Sequence, residues 1–103
     1  MAKHIHARLR GAPWSIRYPA KLPKADRDAF GTCQRRSVTD GTLGGLIRVR
    51  GGIQGRKRLE VELHESLHAC LWDLDEEAIR ETAEDIARFL WRAGYRLPSE
   101  PDA

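Results

Sequence analysis

The first half of the chain contains three short stretches with the hydrophobic pattern of β-strands. Apolar and polar residues alternate at positions 5–9 and again at 14–18, with a Gly-Ala-Pro turn at 11–13 between them. Such alternation is typical of a strand with one buried face, and two strands so close in sequence predict a β-hairpin. A third strand is predicted at 46–50, where two glycines follow it.

Residues 19–44 separate the second predicted strand from the third. They are rich in proline, glycine and polar residues, which predicts a long connection with a short turn of helix near 24–30. A connection of this length is uncommon in a small domain and often carries function.

The second half of the chain has apolar residues at helical spacing. A first helix is predicted at 57–71, with an apolar stripe at Leu59, Leu63, Leu67 and Cys70. A second helix is expected to begin at Asp73 or Asp75, and Glu76 stands where a capping box with Asp73 requires it. This helix is expected to end at Gly94. Its apolar stripe consists of Ile79, Ala83, Ile86, Leu90 and Ala93.

Together these elements predict an α+β fold, in which a small antiparallel sheet is followed by a helical hairpin. The length of 103 residues fits one domain, expected to span residues 1–97, with a disordered tail at 98–103. No apolar run is long enough to cross a membrane, and the alternating N-terminus does not resemble a signal peptide. A cytoplasmic location is therefore expected, with Cys33 and Cys70 as a reduced pair.

Charge is divided unevenly along the chain. Residues 1–58 hold 14 Lys and Arg against 3 Asp and Glu, a net charge of +11, whereas residues 59–103 hold 4 against 12, a net charge of −8. A basic half raises the question of a polyanionic partner such as nucleic acid. Because the basic residues are scattered and form no single run, mutual attraction of the two halves within one fold is favoured.

The residues His64-Glu65-Ser66-Leu67-His68 lie within the first predicted helix and carry the candidate chemistry. Two histidines four residues apart on a helix project from the same face, so both imidazoles can reach one zinc ion. Glu65 then lies beside the metal, close enough to a bound water to act as general base. The alternative is a helix with two polar histidines on its solvent-exposed face.

A catalytic zinc ion usually has three protein ligands, so a third ligand is required. A helical hairpin that turns near Asp73 would bring residues 78–82 level with the histidines, which makes Glu77 and Glu81 the candidates. Glu81 is preferred because it lies nearer the edge of the apolar stripe. Asp85, four residues after Glu81, is expected to accept a hydrogen bond from the outer nitrogen of a ligating histidine.

This pattern resembles that of the gluzincins, thermolysin-type peptidases in which HExxH is followed by ExxxD. The corresponding residues are HESLH at 64–68 and Glu-Thr-Ala-Glu-Asp at 81–85. Residues 59–97 as a whole resemble small phage and bacterial zincin-like metallopeptidases. The resemblance implies zinc as cofactor and three ligands, with Glu65 as general base and Asp85 behind the ligands. The implied ligands are His64, His68 and Glu81.

The expected function is a zinc-dependent metallopeptidase, a hydrolase that cleaves peptide bonds of a peptide or protein substrate with a zinc-activated water. Tyr18, Tyr95 or an arginine are candidates to stabilise the oxyanion. The substrate is expected to add to an exposed edge of the sheet, with the predicted strand at 46–50 as the candidate. The alternative is a basic nucleic-acid-binding module with a structural or vestigial zinc site, in which Trp14 and Tyr18 lie near arginines.

Overall fold

A computed structural model describes residues 4–37 and 43–97 of the chain. These residues form four strands and two helices. A short 3-10 turn, Lys24–Asp26, lies in the connection between the second and third strands. The predicted α+β class is confirmed, whereas the predicted tail at 98–103 lies outside the described residues. The elements are β1 (His4–Leu9), β2 (Ala12–Arg17), β3 (Gly31–Ser37), β4 (Leu43–Val49), α1 (Gly55–Cys70) and α2 (Glu76–Arg92).

The sheet is mixed, so the prediction of a purely antiparallel sheet is wrong. Its strands lie in the order β1-β2-β4-β3, with β1–β2 and β3–β4 antiparallel and β2–β4 parallel. The β1–β2 hairpin is the predicted one, and it turns through Arg10 and Gly11, which both have positive φ. The connection after β2 leads to the far edge of the sheet. There β3 runs antiparallel to β2, and β4 then lies between β3 and β2.

Strand β3 occupies part of the stretch that was predicted as a connection. Cys33 is the one apolar side chain among its seven residues, so no alternation marks it as a strand. In the described part of the chain β3 pairs with β4 alone, which makes β3 an edge of the sheet and β4 an interior strand. The expectation that the strand at 46–50 forms an exposed edge is therefore wrong.

Helix α1 contacts both the sheet and α2, and this position decides which of its residues are buried. Val61 joins a buried cluster with Trp14, Ile47 and Val49 of the sheet. The buried residues of α1 are Val61 and Glu65. A helix that is covered on two sides has no single apolar stripe. The residues of the predicted stripe are therefore only half-buried, namely Leu59, Leu63, Leu67 and Cys70.

Helix α2 begins and ends on the signals that the sequence provides. The side chain of Asp75 accepts a hydrogen bond from the backbone N–H of Ala78 at 2.8 Å, so Asp75 is the cap and the capping box with Asp73 is not formed. Gly94 follows the helix with a φ of 100°. The fully buried residues of α2 are Ile79, Ala83 and Ala87. No helix in the described ranges is long and apolar enough to cross a membrane.

Replacing Asp75 with Ala is expected to lower the free energy of unfolding by about 1 kcal/mol, because it removes the N-cap of α2. Asp73→Ala is the matched control, since Asp73 is an exposed aspartate of the same connection. Urea denaturation monitored by circular dichroism measures both changes. Equal losses in the two variants would contradict the assignment of Asp75 as the cap.

Candidate metal centre

Two histidines of α1 and a glutamate of α2 converge on one point. The Nε2 atom of His64 lies 2.9 Å from one carboxylate oxygen of Glu76, and the Nε2 atom of His68 lies 2.8 Å from the other. Each of the three side chains offers a ligand atom, and these atoms lie within 4.8 Å of one another. Both histidine side chains are 22% exposed, so the group is accessible from solvent.

The spacing within α1 and the start of α2 explain this convergence. Positions four apart on a helix lie one turn apart on the same face, and the ring centroids of His64 and His68 are 4.9 Å apart. Glu76 directly follows the cap Asp75 and is the first residue of α2. Its negative charge therefore lies at a helix N-terminus, where the helix dipole favours it.

The donor set suits a catalytic zinc ion. Two imidazole nitrogens and one carboxylate oxygen are a common set of three protein ligands for zinc, with a fourth position left for water. Within the described ranges, this is the one group of three His, Cys, Asp or Glu side chains with ligand atoms so close together. The residues present therefore fit zinc by ligand type, number and spacing.

Glu76 takes the place that was predicted for Glu81. Glu81 is exposed on α2 and does not belong to the group of three. Glu77, the other candidate, and Asp85 each form an ion pair with an arginine of α2. The structure thus brings Glu76 to the two imidazoles and leaves the other three carboxylates on the outside of the helix.

The sequence-based choice of Glu81 assumed that residues at equal distances from the turn lie level with each other. A helix rises only about 1.5 Å per residue, whereas irregular chain can advance about 3.3 Å per residue. The non-helical residues 71–75 therefore carry the chain back along α1, so that Glu76 at the start of α2 lies beside His64 and His68. The sequence signal that could have identified Glu76 is its position directly after the candidate cap Asp75, at the start of the second helix.

Glu65 lies on the buried side of α1, directly after the first histidine. The residue is 7% exposed. Burial, and then the negative charge of Glu76, raise the pKa of its carboxyl group from 4.5 to about 7. A β-carbon at Gly31 would lie 3.0 Å from Oε2 of Glu65, so the glycine leaves room for the carboxylate beside β3. A carboxyl group with a pKa near neutrality suits proton transfer at physiological pH.

An open groove runs past the metal centre along the edge strand β3. Two cavities form it, of about 650 and about 690 Å³. Both are lined by Gly31, His64, Glu65 and Glu76. The first cavity extends to Thr32, Cys33, Gln34 and Trp72. The second extends to Phe30, Lys57, Arg80 and Glu84. The candidate metal centre therefore lies where the two cavities adjoin, among the residues that line both.

Cys33 lines this groove, but it does not belong to the group of three converging side chains. Burial, followed by the charge of Glu65, raises the pKa of its thiol to about 12. Cys33 and Cys70 are both half-buried and are not joined by a disulfide.

The tyrosines expected to stabilise an oxyanion lie elsewhere. The hydroxyl group of Tyr18 donates a hydrogen bond to Glu62, and burial together with this carboxylate raises its pKa to about 12. Tyr95 lines a separate apolar cavity with Trp91 near the end of α2. Neither tyrosine lines the groove. Arg80 does line it, although its guanidinium is paired with carboxylates of its own helix.

Glu65→Gln is expected to stabilise the metal-free chain at pH 8 by about 2 kcal/mol. The raised pKa means that the folded chain binds the proton of Glu65 more tightly than the unfolded chain does. Stability is therefore lost as pH rises from 4.5 to about 7 and stays lower above that. Glutamine carries no charge, so the variant escapes this loss.

Urea denaturation in the presence of a chelator, at pH 4.5 and pH 8, measures this difference. We expect a gain for Glu65→Gln at pH 8 that shrinks towards pH 4.5, and no such pH dependence for Glu81→Gln, because Glu81 is exposed. A gain that is the same at both pH values would show that burial does not penalise the charge of Glu65.

Comparison with known proteins finds no match to the chain among family models, curated proteins or solved structures. The likeness to zincin-type peptidases therefore stays a prediction from the sequence. What supports a function is the geometry of the metal centre and the groove around it.

Proposed function

We propose that this protein is a zinc-dependent metallopeptidase in which His64, His68 and Glu76 bind the metal and Glu65 is the general base. The observation that carries the proposal is the convergence of both Nε2 atoms on the carboxylate of Glu76. The position of this group where two surface cavities adjoin adds support, because the cavities give a substrate room beside the metal centre.

The chemistry divides between the ligands and Glu65. His64, His68 and Glu76 would hold the zinc ion, which when bound would lower the pKa of a water and polarise the carbonyl of the scissile bond. Glu65 follows a ligand directly, and its carboxylate faces the same groove. It is placed to accept a proton from the attacking water and to donate it to the leaving amine.

The edge strand β3 offers a main-chain surface for the substrate. Its other edge is occupied by β4, and its residues Gly31 to Gln34 line the groove beside the metal centre. A peptide in extended conformation that pairs with this free edge would pass across the metal centre. Main-chain pairing of this kind is tolerant of sequence, which suits a peptidase with broad specificity.

Cleavage of an unbiased peptide mixture by the zinc-loaded chain, followed by mass spectrometry, tests the proposal. We expect cleavage products that disappear with a chelator, return when zinc is added, and are absent with His64→Ala. Cleavage that survives chelation would argue against zinc catalysis. A zinc-loaded chain that cleaves none of the peptides would argue against a peptidase.

A further inference from the structure

The face of the sheet opposite the helices carries a different chemistry from the metal centre. Residues that are paired across neighbouring strands lie on the same face. Trp14, Ile47 and Val49 occupy the face that packs on α1. The strand register places on the other face the side chains of His4, His6, Arg8, Ser15, Arg17, Thr32, Gln34, Arg36, Leu46 and Arg48.

Each of the four strands contributes one arginine to this face, which we call the basic sheet face: Arg8, Arg17, Arg36 and Arg48. The first three are exposed, and Arg48 is half-buried with its guanidinium donating a hydrogen bond to Gln34 at 3.0 Å. None of the strands contains Asp or Glu. Within the described ranges, no carboxylate forms an ion pair with these arginines.

The positions of the arginines favour binding of anions. Arg17 lies directly beside Arg48 in the β2–β4 pairing, and like charges opposite each other destabilise a sheet unless something compensates them. Arg8 and Arg36 stand on opposite edge strands, yet both line one cavity of about 460 Å³. Its other polar lining side chains are those of His6 and Ser15.

We propose that the basic sheet face binds the phosphate backbone of double-stranded nucleic acid. Three strand spacings of about 4.8 Å place the Cα atoms of Arg8 and Arg36 about 14 Å apart. This span is comparable to the major groove, which is about 12 Å wide. The two arginines can therefore contact phosphates of both strands across the groove.

Among the described residues of this face there is no exposed Phe, Tyr or Trp, which favours a duplex over a single strand. Binding of single strands relies on bases that stack on aromatic rings. Trp14 is 3% exposed and lies in the core, and Tyr18 has its hydroxyl bonded to Glu62 and Arg58 over its ring. The aromatic residues that the sequence placed near arginines are thus not available for stacking on the basic sheet face.

Fluorescence anisotropy with a labelled duplex of mixed sequence and about 20 base pairs, in about 50 to 200 mM salt, tests the proposal. We expect a Kd of about 1–100 μM and a logarithmic salt dependence of negative slope. The double variant Arg8→Gln/Arg36→Gln, at two exposed positions, is expected to weaken binding at least tenfold. It should also reduce the size of the slope by about 2, one for each lost phosphate contact.

The matched control is Arg88→Gln/Arg92→Gln, which removes the same charge from exposed positions of α2 and should change binding less than threefold. Circular dichroism melting checks that each variant is folded. A second double variant, Arg17→Gln/Arg48→Gln, is also expected to weaken binding of the duplex. Equal weakening by the control would reduce the effect to net charge and overturn the proposal. So would failure to bind duplex at the lowest salt, or binding to anionic lipid vesicles but not to duplex.

Binding of a duplex to the basic sheet face does not involve the metal centre. Helix α1 and the basic sheet face lie on opposite sides of the sheet, so a duplex on one side leaves the histidines accessible on the other. Duplex binding that persists after chelation of zinc is therefore expected, and loss of peptidase activity in a His64 variant would leave it unchanged.

Discussion

Glu76→Gln is expected to lower the affinity for zinc by on the order of 100-fold or more. The amide keeps the size of the side chain but loses the negative charge that lies within 2.9 Å of both Nε2 atoms. Two neutral imidazoles alone leave zinc with one protein ligand fewer than catalytic sites normally provide. Competition with a chelating indicator dye measures the change in Kd.

Glu77→Gln and Glu81→Gln are the matched controls. They remove the same charge from exposed positions of α2 that lie one and five residues after Glu76. Both are expected to bind zinc as the parent chain does. If Glu81→Gln loses the metal while Glu76→Gln retains it, the third ligand is the one that the sequence favoured and the convergence on Glu76 does not describe the metal-bound state.

Glu65→Gln is expected to retain zinc while lowering kcat by a factor of about 100 to 10,000, the usual contribution of a general base. Glutamine fits the same buried space beside Gly31 but cannot accept a proton from the water. Zinc content and peptide cleavage measured on the same preparation separate the two effects. Loss of zinc together with activity would assign Glu65 a structural role.

The control for this comparison is again Glu81→Gln, which should keep both zinc and activity. Peptide cleavage by Glu65→Gln at the rate of the parent chain would remove Glu65 from the mechanism. The stability gain expected for the metal-free Glu65→Gln chain makes unfolding an unsuitable explanation for lost activity, since the variant should be at least as stable as the parent.

The elements with strong periodicity were predictable from the sequence. The β1–β2 hairpin and both helices were predicted from local apolar spacing and from the stop at Gly94, although the residues of the predicted α1 stripe are only half-buried. Strand β3 was missed because an edge strand needs little apolar alternation, and its own sequence provides almost none. The mixed topology was missed for the same reason. Because β3 intervenes between β2 and β4 in the sequence and is antiparallel to β4, β4 runs parallel to β2.

The approach of Glu76 to the histidines and the setting of Glu65 depended on packing that local patterns do not encode. Glu76 reaches the histidines because of how far the irregular residues 71–75 carry the chain. Glu65 is buried because α1 is covered by the sheet as well as by α2. The basic sheet face likewise required the strand register, because its four arginines are scattered along the sequence and come together only across paired strands.

Zinc K-edge absorption spectroscopy on the zinc-loaded chain, combined with the metal content, determines whether the two histidines and Glu76 bind the metal. We predict one zinc ion per chain, with nitrogen and oxygen ligands at about 2.0–2.2 Å and the scattering pattern of two imidazoles. A sulfur ligand at about 2.3 Å would assign the metal to cysteine. That result, or a chain that binds no zinc in zinc-replete buffer, would contradict a centre formed by His64, His68 and Glu76.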